Sequence, residues 1–253
     1  MWHIINALLL RELKTRFGKN PTLGYIWVIV EPMLHILIML LVFTLIRNRV
    51  LPQLPFSLFL ICGMVPFFMF RNIVTNLING IDANKSLFTY KPVRPFHVFI
   101  ARTLLEGTIY FIIFIFLMIA TGFILGYNII PYKITNVLLI FIWLLLFSFS
   151  FGVFLSVAFY GNEMIKNLLS YFLMIFYFGS AVMFPLWIVP NNLIDYLAFN
   201  PVLHILELLK ENYFASYPVV EQINYKYPLI CTFVLLFFGL GIYYKDRVKL
   251  ASS

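Results

Sequence analysis

At 253 residues, 62% hydrophobic and 11% charged, the chain carries less than half the charge of a soluble domain, which is about 25%. Most of its surface must therefore face lipid, and little room remains for a separate soluble domain. The formal net charge of +8 reads as basic loops kept on the cytoplasmic side of a membrane rather than as a nucleic-acid surface.

The chain opens with "MWHIINALLL" followed by "RELKTRFGK", the reverse of the charge-then-apolar order of a cleavable signal. Ten apolar residues are too few to span. Trp2, Ile5, Leu9 and Leu13 recur at helical spacing with Arg11, Lys14 and Arg16 later in the same run, which predicts an interfacial helix from Trp2 to Phe17. Gly18 and Pro21 then end it and turn the chain into the membrane.

Six apolar runs are close to the ~20 residues that a spanning helix needs: Leu23–Ile46, Phe56–Leu77, Val98–Tyr127, Asn136–Tyr160, Asn167–Ile188 and Tyr227–Tyr244. The first contains Glu31, Pro32 and His35. A carboxylate and an imidazole one helical turn apart, with a backbone carbonyl freed by the proline between them, suit a polar seam facing protein or a wet cavity. Intramembrane ionisable groups cost about 2.5–3.5 kcal/mol each on insertion scales; besides Glu31 and His35 they are Arg71 and Glu106. Arg71, near the inner end of the second run, has the alternative of snorkelling to the headgroups. Glu106 follows Arg102 by one turn, which predicts a local pair.

After the second run comes "NGIDANKSLFTYKPVRPFHVFIAR". Asp82 is placed to cap a short helix that Pro92 stops. Leu87, Phe88 and Tyr90 then stand outside the membrane, ringed by Lys85, Lys91 and Arg94. That combination marks a docking surface for a partner protein or an interfacial anchor. Ser148, Gly152 and Ser156 in the fourth run suit close helix packing, within the chain or against a second copy. Between the fifth and sixth runs, Asn192–Phe199 and Pro201–Tyr213 have the length of re-entrant or interfacial helices, a hairpin on the outer face. Cys62 and Cys231 lie in apolar runs without disulfide or metal spacing and read as free thiols.

Twelve of the eighteen lysines and arginines fall in segments on the same side as the N-terminus, and five, including Lys210, on the other. Both termini are thus expected in the cytoplasm. The expected fold is an all-α integral membrane protein. An interfacial helix and turn (1–22) precede one six-helix domain (23–250), with a cytoplasmic loop at 79–97 and an outer re-entrant segment at 189–216.

Catalytic constellations are missing. No phosphate-binding G-x-x-x-x-G-K-[ST] loop occurs, and Asp82, Asp195 and Asp246 are scattered. His204, Glu207 and Glu211 share one face of a short helix, but a carboxylate-bridged metal site would need a second such helix. The chain is expected to bind no metal or cofactor and to have no catalytic site of its own.

"LLLRELKTRFGKNPTLGYIWVIVEP", "ANKSLFTYKPVRPFHVFIARTLLE" and "MFPLWIVP…NPVLHILELLKENYF", in this order across nearly the whole chain, resemble the type-2 ATP-binding-cassette export permeases. The likeness is to the KpsM-like branch, which serves capsular polysaccharide export in Gram-negative bacteria. The resemblance implies a multi-pass protein of the bacterial inner membrane with six spans, working as a homodimer with two separate ATPase subunits that carry ATP and Mg2+. It implies export of a lipid-linked polysaccharide beside periplasmic and outer-membrane export partners. The ATPase-contacting loop would lie at Asp82–Arg94, the stretch holding Lys85, Leu87, Phe88, Tyr90 and Lys91. Within that reading, Phe67, Phe68, Tyr177, Phe184 and Trp187 could line the sugar path beside Glu31, His35 and Arg71, or pack against lipid and neighbouring helices. Arg11, Lys14 and Arg16 could gather an anionic lipid headgroup or serve as inside-positive anchors. The alternatives are an ion-driven lipid-sugar flippase or carrier, with Glu31, Arg71 and Glu106 as a proton relay and no ATPase, and a structural assembly subunit.

Overall fold

A computed structural model describes residues 2–17, 30–31, 33–39, 42, 54–88 and 93–252. Its elements are helical apart from turns and connections. Helix α1 is Trp2–Phe17, the range expected from its apolar spacing. Residues 30–31 and 33–39 are helical and lie in the first expected span; Gly18 and Pro21, the expected stop of α1, lie outside the described residues, as do both ends of that span. Helix α2 is Phe56–Ile78, followed by a 3-10 helix at Asp82–Leu87. Then come α3 (Pro95–Leu125), α4 (Ile134–Ala158) and α5 (Glu163–Gly179). Two short helices, α6 (Asn191–Leu197) and α7 (Pro201–Tyr213), precede α8 (Lys226–Ser252).

Among the described residues, four helices are long and apolar enough to cross a membrane: α2, α3, α4 and α8 as far as Arg247. Helix α5 departs from expectation. It ends at Gly179 rather than continuing to Ile188, because Ser180 leaves the helical region and Ala181 adopts a left-handed φ of 49°. Pro185 then starts a single 3-10 turn at Leu186–Ile188.

Apart from Arg71, Asn72, Thr75 and Asn76 in its last two turns, helix α2 is apolar on all sides, and a helix of that kind is buried. It sits at the centre, in contact with α3, α4, α5 and α7. The crossing of α2 and α4 depends on a missing side chain: a Cβ on Gly152 would stand 2.9 Å from Leu77 Cδ2 and 3.4 Å from Val74 Cα. Ser148 and Ser156 are likewise buried within the chain. The small-residue stripe of α4 therefore packs inside the single chain.

The helices alternate in direction. At one end, Lys166 at the start of α5 is bonded to Asp82 after α2, and Tyr243 near the end of α8 packs on Phe96 and Phe99 at the start of α3. Helix α1 lies at this end, with Arg11 donating to Asn84 at 2.9 Å. At the other end, the backbone N–H groups of Tyr132 and Lys133, between α3 and α4, donate to Tyr213 and Asn212 at the end of α7. Helix α7 is deeply inserted: Val202, Leu203, Ile205, Leu206 and Leu209 are enclosed between α2 and α4. Burying five such side chains is worth on the order of 10 kcal/mol relative to water. Asn200 accepts from Val202 N and Pro201 occupies the first turn, so the sequence marks its start plainly.

Candidate functional site

Six of the eight residues predicted for the transport path come together. His35 Nε2 is 2.9 Å from Tyr177 Oη, and its ring stands edge-on to Phe68 and Tyr177, with centroids 5.4 and 5.7 Å apart. Phe68 and Tyr177 stack at 6.1 Å, and Phe67 meets Tyr177 at 5.1 Å. Arg71 donates to Glu31 Oε1 at 3.0 Å, with its guanidinium 4.8 Å over the Phe68 ring. Glu31 and His35 thus do not serve each other. Each reaches across to another element, Glu31 to α2 and His35 to α5, because neighbouring helices put full partners in range.

The side chains of Arg71 and Glu31 remain 35% and 50% exposed, whereas Phe67 is enclosed within the chain. An ion pair open to one side within apolar helices, backed by a cation–π contact, forms a polar seam on the α5 side of the bundle. Phe184 and Trp187 are elsewhere. Phe184 packs on the small apolar cluster of Ala181, Leu186, Ile194 and Leu203, and Trp187 meets Tyr217 edge-on at 4.9 Å.

A second cluster occupies the end that holds the 79–97 loop. Asp82 pairs with Lys85 at 3.4 Å and, closely, with Lys166 of α5. Burial alone would raise the Asp82 carboxyl, but the Lys166 and Lys85 ammonium groups outweigh it and hold it below the usual carboxylate range. Asn84, buried, accepts from Arg11 and donates to Gly80 O at 3.0 Å. Glu12 accepts from Arg102 Nε at 2.9 Å, and Arg102 also donates to Asn76 O at 2.7 Å. The expected Arg102–Glu106 pair is therefore corrected: Glu106 instead accepts from Asn76 at 2.8 Å, since α1 brings a carboxylate to Arg102.

Phe88 is also corrected. It is buried in the main apolar cluster rather than exposed, leaving Asp82, Ala83, Lys85 and Ser86 as the exposed face of the 3-10 helix, with Leu87 half-buried. Arg94 is exposed at the N-cap of α3. Tyr90, Lys91 and the side chains of Lys14 and Arg16 lie outside the described part of the structure.

At the opposite end, Lys210, counted from sequence among the outer-side charges, is fully buried. Its Nζ donates to Glu207 Oε1 at 2.8 Å and to Ala181 O at 2.7 Å, and lies 4.5 Å from the centre of the Phe59 ring. Tyr217 donates to the other Glu207 oxygen at 2.9 Å. A glutamate and a lysine three residues apart, flanked by leucines on a short helix, were the available sign of an internal pair. His204 is held by Ala198 O at 2.8 Å and by the N–H of Asn224, which donates to Nδ1 at 3.2 Å. Burial depresses its pKa. Among the described residues, no group of three or more His, Cys, Asp or Glu side chains is placed to hold a metal ion.

What the geometry offers is a polar seam among apolar helices and, at one end, a charged network joining α1, α2, the 3-10 helix, α3 and α5. Residues 4–214 match the family model described as ABC-2 type transporter. The chain is 39% identical to the polysialic acid transport protein KpsM of Escherichia coli, covering 94% of this chain and 92% of that protein. It is 33% identical to the capsule polysaccharide export inner-membrane protein CtrC of Neisseria meningitidis serogroup A, over 94% and 89%. A more distant relative, the O-antigen export system permease protein RfbA of Klebsiella pneumoniae, is 24% identical over 95% and 91%. With apolar helices long enough to span and a family match over most of its length, this all-helical chain belongs to the ABC-2 type transporter membrane family.

Proposed function

We propose that the chain is the inner-membrane permease of an ATP-driven exporter, moving a lipid-linked capsular polysaccharide out of the cytoplasm as a homodimer with two separate ATPase subunits. The observation that carries this reading is the 39% identity to a polysialic acid transport protein over nearly the full length of both chains. In this reading residues 23–46 and α5 complete a set of six spans, α6 and α7 form the outer re-entrant hairpin, and both termini are cytoplasmic. Nucleotide and Mg2+ stay on the ATPase, and periplasmic and outer-membrane export proteins continue the route.

The seam supports a position for the path. An ion pair half open within the membrane is costly against lipid, so the face carrying Glu31 and Arg71 meets a second copy or a hydrated sugar chain. Phe68 and Tyr177 offer flat faces on which sugar rings can slide. The ATPase docks on the exposed face of the 3-10 helix, Asp82 to Ser86. Its push reaches α5 through the Asp82–Lys166 pair, and from α5 it reaches Tyr177 and His35. Through Asn84 the same push reaches α1, whose Arg11 stands where lipid headgroups gather.

The test is polymer export in cells carrying Glu31→Gln, Arg71→Gln or both, with protein levels matched. Several-fold loss in either single variant supports a seam on the path. Wild-type export from all three would place the path elsewhere.

A further inference from the structure

On another side of the bundle, between α3 and α8, lies a groove that the transport reading does not use. Phe237, Leu240, Gly241 and Tyr244 recur on one face of α8 at helical spacing. With Tyr243 and with Phe96 of α3 they line a hollow of about 560 Å3. Two glycines sit close together here for different reasons. A Cβ on Gly239 would stand 3.1 Å from Phe154 N, so that glycine is required by the approach of α4. A Cβ on Gly241 would meet nothing within 4 Å. Its bareness serves no packing and instead deepens the floor of the groove.

The same helical face continues into Arg247, whose guanidinium lies 4.4 Å over the Tyr244 ring. Arg94, at the N-cap of α3, is exposed at the same end. Between them Tyr243 packs on Phe96 and Phe99, with ring centroids 5.7 and 6.4 Å apart. Lys245 is exposed beside them, and Asp246 is the one carboxylate on that turn. The apolar run of α8 gives way to Lys245, Asp246 and Arg247 and α3 begins just after Arg94, so the two arginines stand at the level where headgroups meet hydrocarbon.

We infer that the α3–α8 groove is a binding site for an anionic phospholipid of the inner leaflet, with an acyl chain over Gly241 between Phe96 and Tyr244 and the phosphate between Arg94 and Arg247. The charge of the rim selects this occupant: a zwitterionic lipid would fill the hollow equally well but bring no net charge to the arginines. The site uses neither the seam nor the 3-10 helix; Arg94, at the far edge of the loop that the resemblance assigns to the ATPase, is the one residue it shares with the transport reading.

The test uses the full chain purified in mild detergent with whatever ATPase accompanies it, and measures bound lipid by native mass spectrometry during titration with phosphatidylglycerol or phosphatidylcholine. The wild-type chain should prefer phosphatidylglycerol. Arg94→Gln with Arg247→Gln should weaken phosphatidylglycerol on the order of tenfold while leaving phosphatidylcholine unchanged. Gly241→Leu, which the free space accommodates, should weaken both lipids with the rim charge intact; Gly241→Ala, a smaller fill, provides the same comparison if the leucine variant is not monodisperse. Unchanged phosphatidylglycerol binding in the double arginine variant would overturn the proposal, as would unchanged binding in the glycine variant. Lipid recovered only from cells that make the polymer would assign the groove to the substrate's anchor and overturn it too.

Discussion

Replacing Lys210 by methionine is the perturbation whose consequence the structure fixes most closely. The side chain keeps its length and its apolar stem against Phe59, but the ammonium that serves Glu207 Oε1 and Ala181 O is gone. Glu207 is 3% exposed, so its carboxylate would stay in the interior with only the Tyr217 hydroxyl to stabilise it. Removing one partner of a buried pair costs about 3–5 kcal/mol. At about 2–4 °C per kcal/mol for a chain of this size, the apparent unfolding midpoint should fall by about 6–20 °C. In a Cys231→Ala background, which removes the chain's other cysteine, Cys62, buried beside this cluster, supplies the readout: labelling by a thiol-reactive dye during heating of the purified chain reports when α7 leaves α2. Adding Glu207→Leu to Lys210→Met removes the stranded charge and should recover most of the loss, short of the ~1 kcal/mol for each hydrogen bond still missing at Tyr217 and Ala181. A Lys210→Met midpoint within about 2 °C of wild type, or a double variant no better than the single, would refute the reasoning.

Three further expectations follow from contacts elsewhere. A Cβ on Gly63 would stand 2.6 Å from the backbone oxygen of Val182, so Gly63→Ala should lower stability by about 1–3 kcal/mol; limited proteolysis should show earlier cleavage around residues 180–190, and an unchanged pattern would remove Gly63 as the contact that seats this segment. Glu12→Ala frees Arg102 from α1; ATP hydrolysis by the assembled transporter should persist while export drops several-fold, with partial recovery in the charge-swapped Glu12→Arg, Arg102→Glu pair. Full export from Glu12→Ala would mean that α1 does not transmit motion. His204 is kept neutral by burial, its folded pKa below the ordinary 6.5. The unfolded chain therefore takes up the proton first, and the stability contributed is complete above about pH 6.5 and lost as pH falls through the folded value. Thermal midpoints between pH 7.5 and 5 should decline less steeply in His204→Gln, and identical slopes would exclude His204 as the cause.

The features written locally in the chain were legible. Apolar periodicity gave α1 as Trp2–Phe17, and Asn200 with Pro201 gave the start of α7. The apolar runs located α2, α3, α4 and α8 to within a few residues, apart from the far end of α8. What the sequence hid were choices made across the fold. Glu31 had His35 one turn away yet pairs with Arg71, and His35 goes to Tyr177, 142 residues distant. Arg102 ignores Glu106 for Glu12, 90 residues back. Lys210 was counted as an outer-side charge because charge alone does not show which way a side chain turns. Phe88 looked exposed because its surroundings in sequence are polar, while its surroundings in space are not. Gly179 stands where α5 ends, but the left-handed Ala181 beyond it carried no glycine or proline signal of its own, and Lys210 is the group that binds its carbonyl.

The central claim is that this chain is a permease driven by a separate ATPase that docks on the Asp82–Ser86 face. The most direct measurement is to purify the tagged chain in mild detergent from cells expressing its neighbouring genes, then assay ATP hydrolysis in the eluate for wild type and for Asp82→Lys with Lys85→Glu. A stoichiometric ATPase with wild-type chain, lost or several-fold reduced with the reversed charges, is the result the account predicts. A chain that elutes alone yet still supports export dependent on the proton gradient would contradict it.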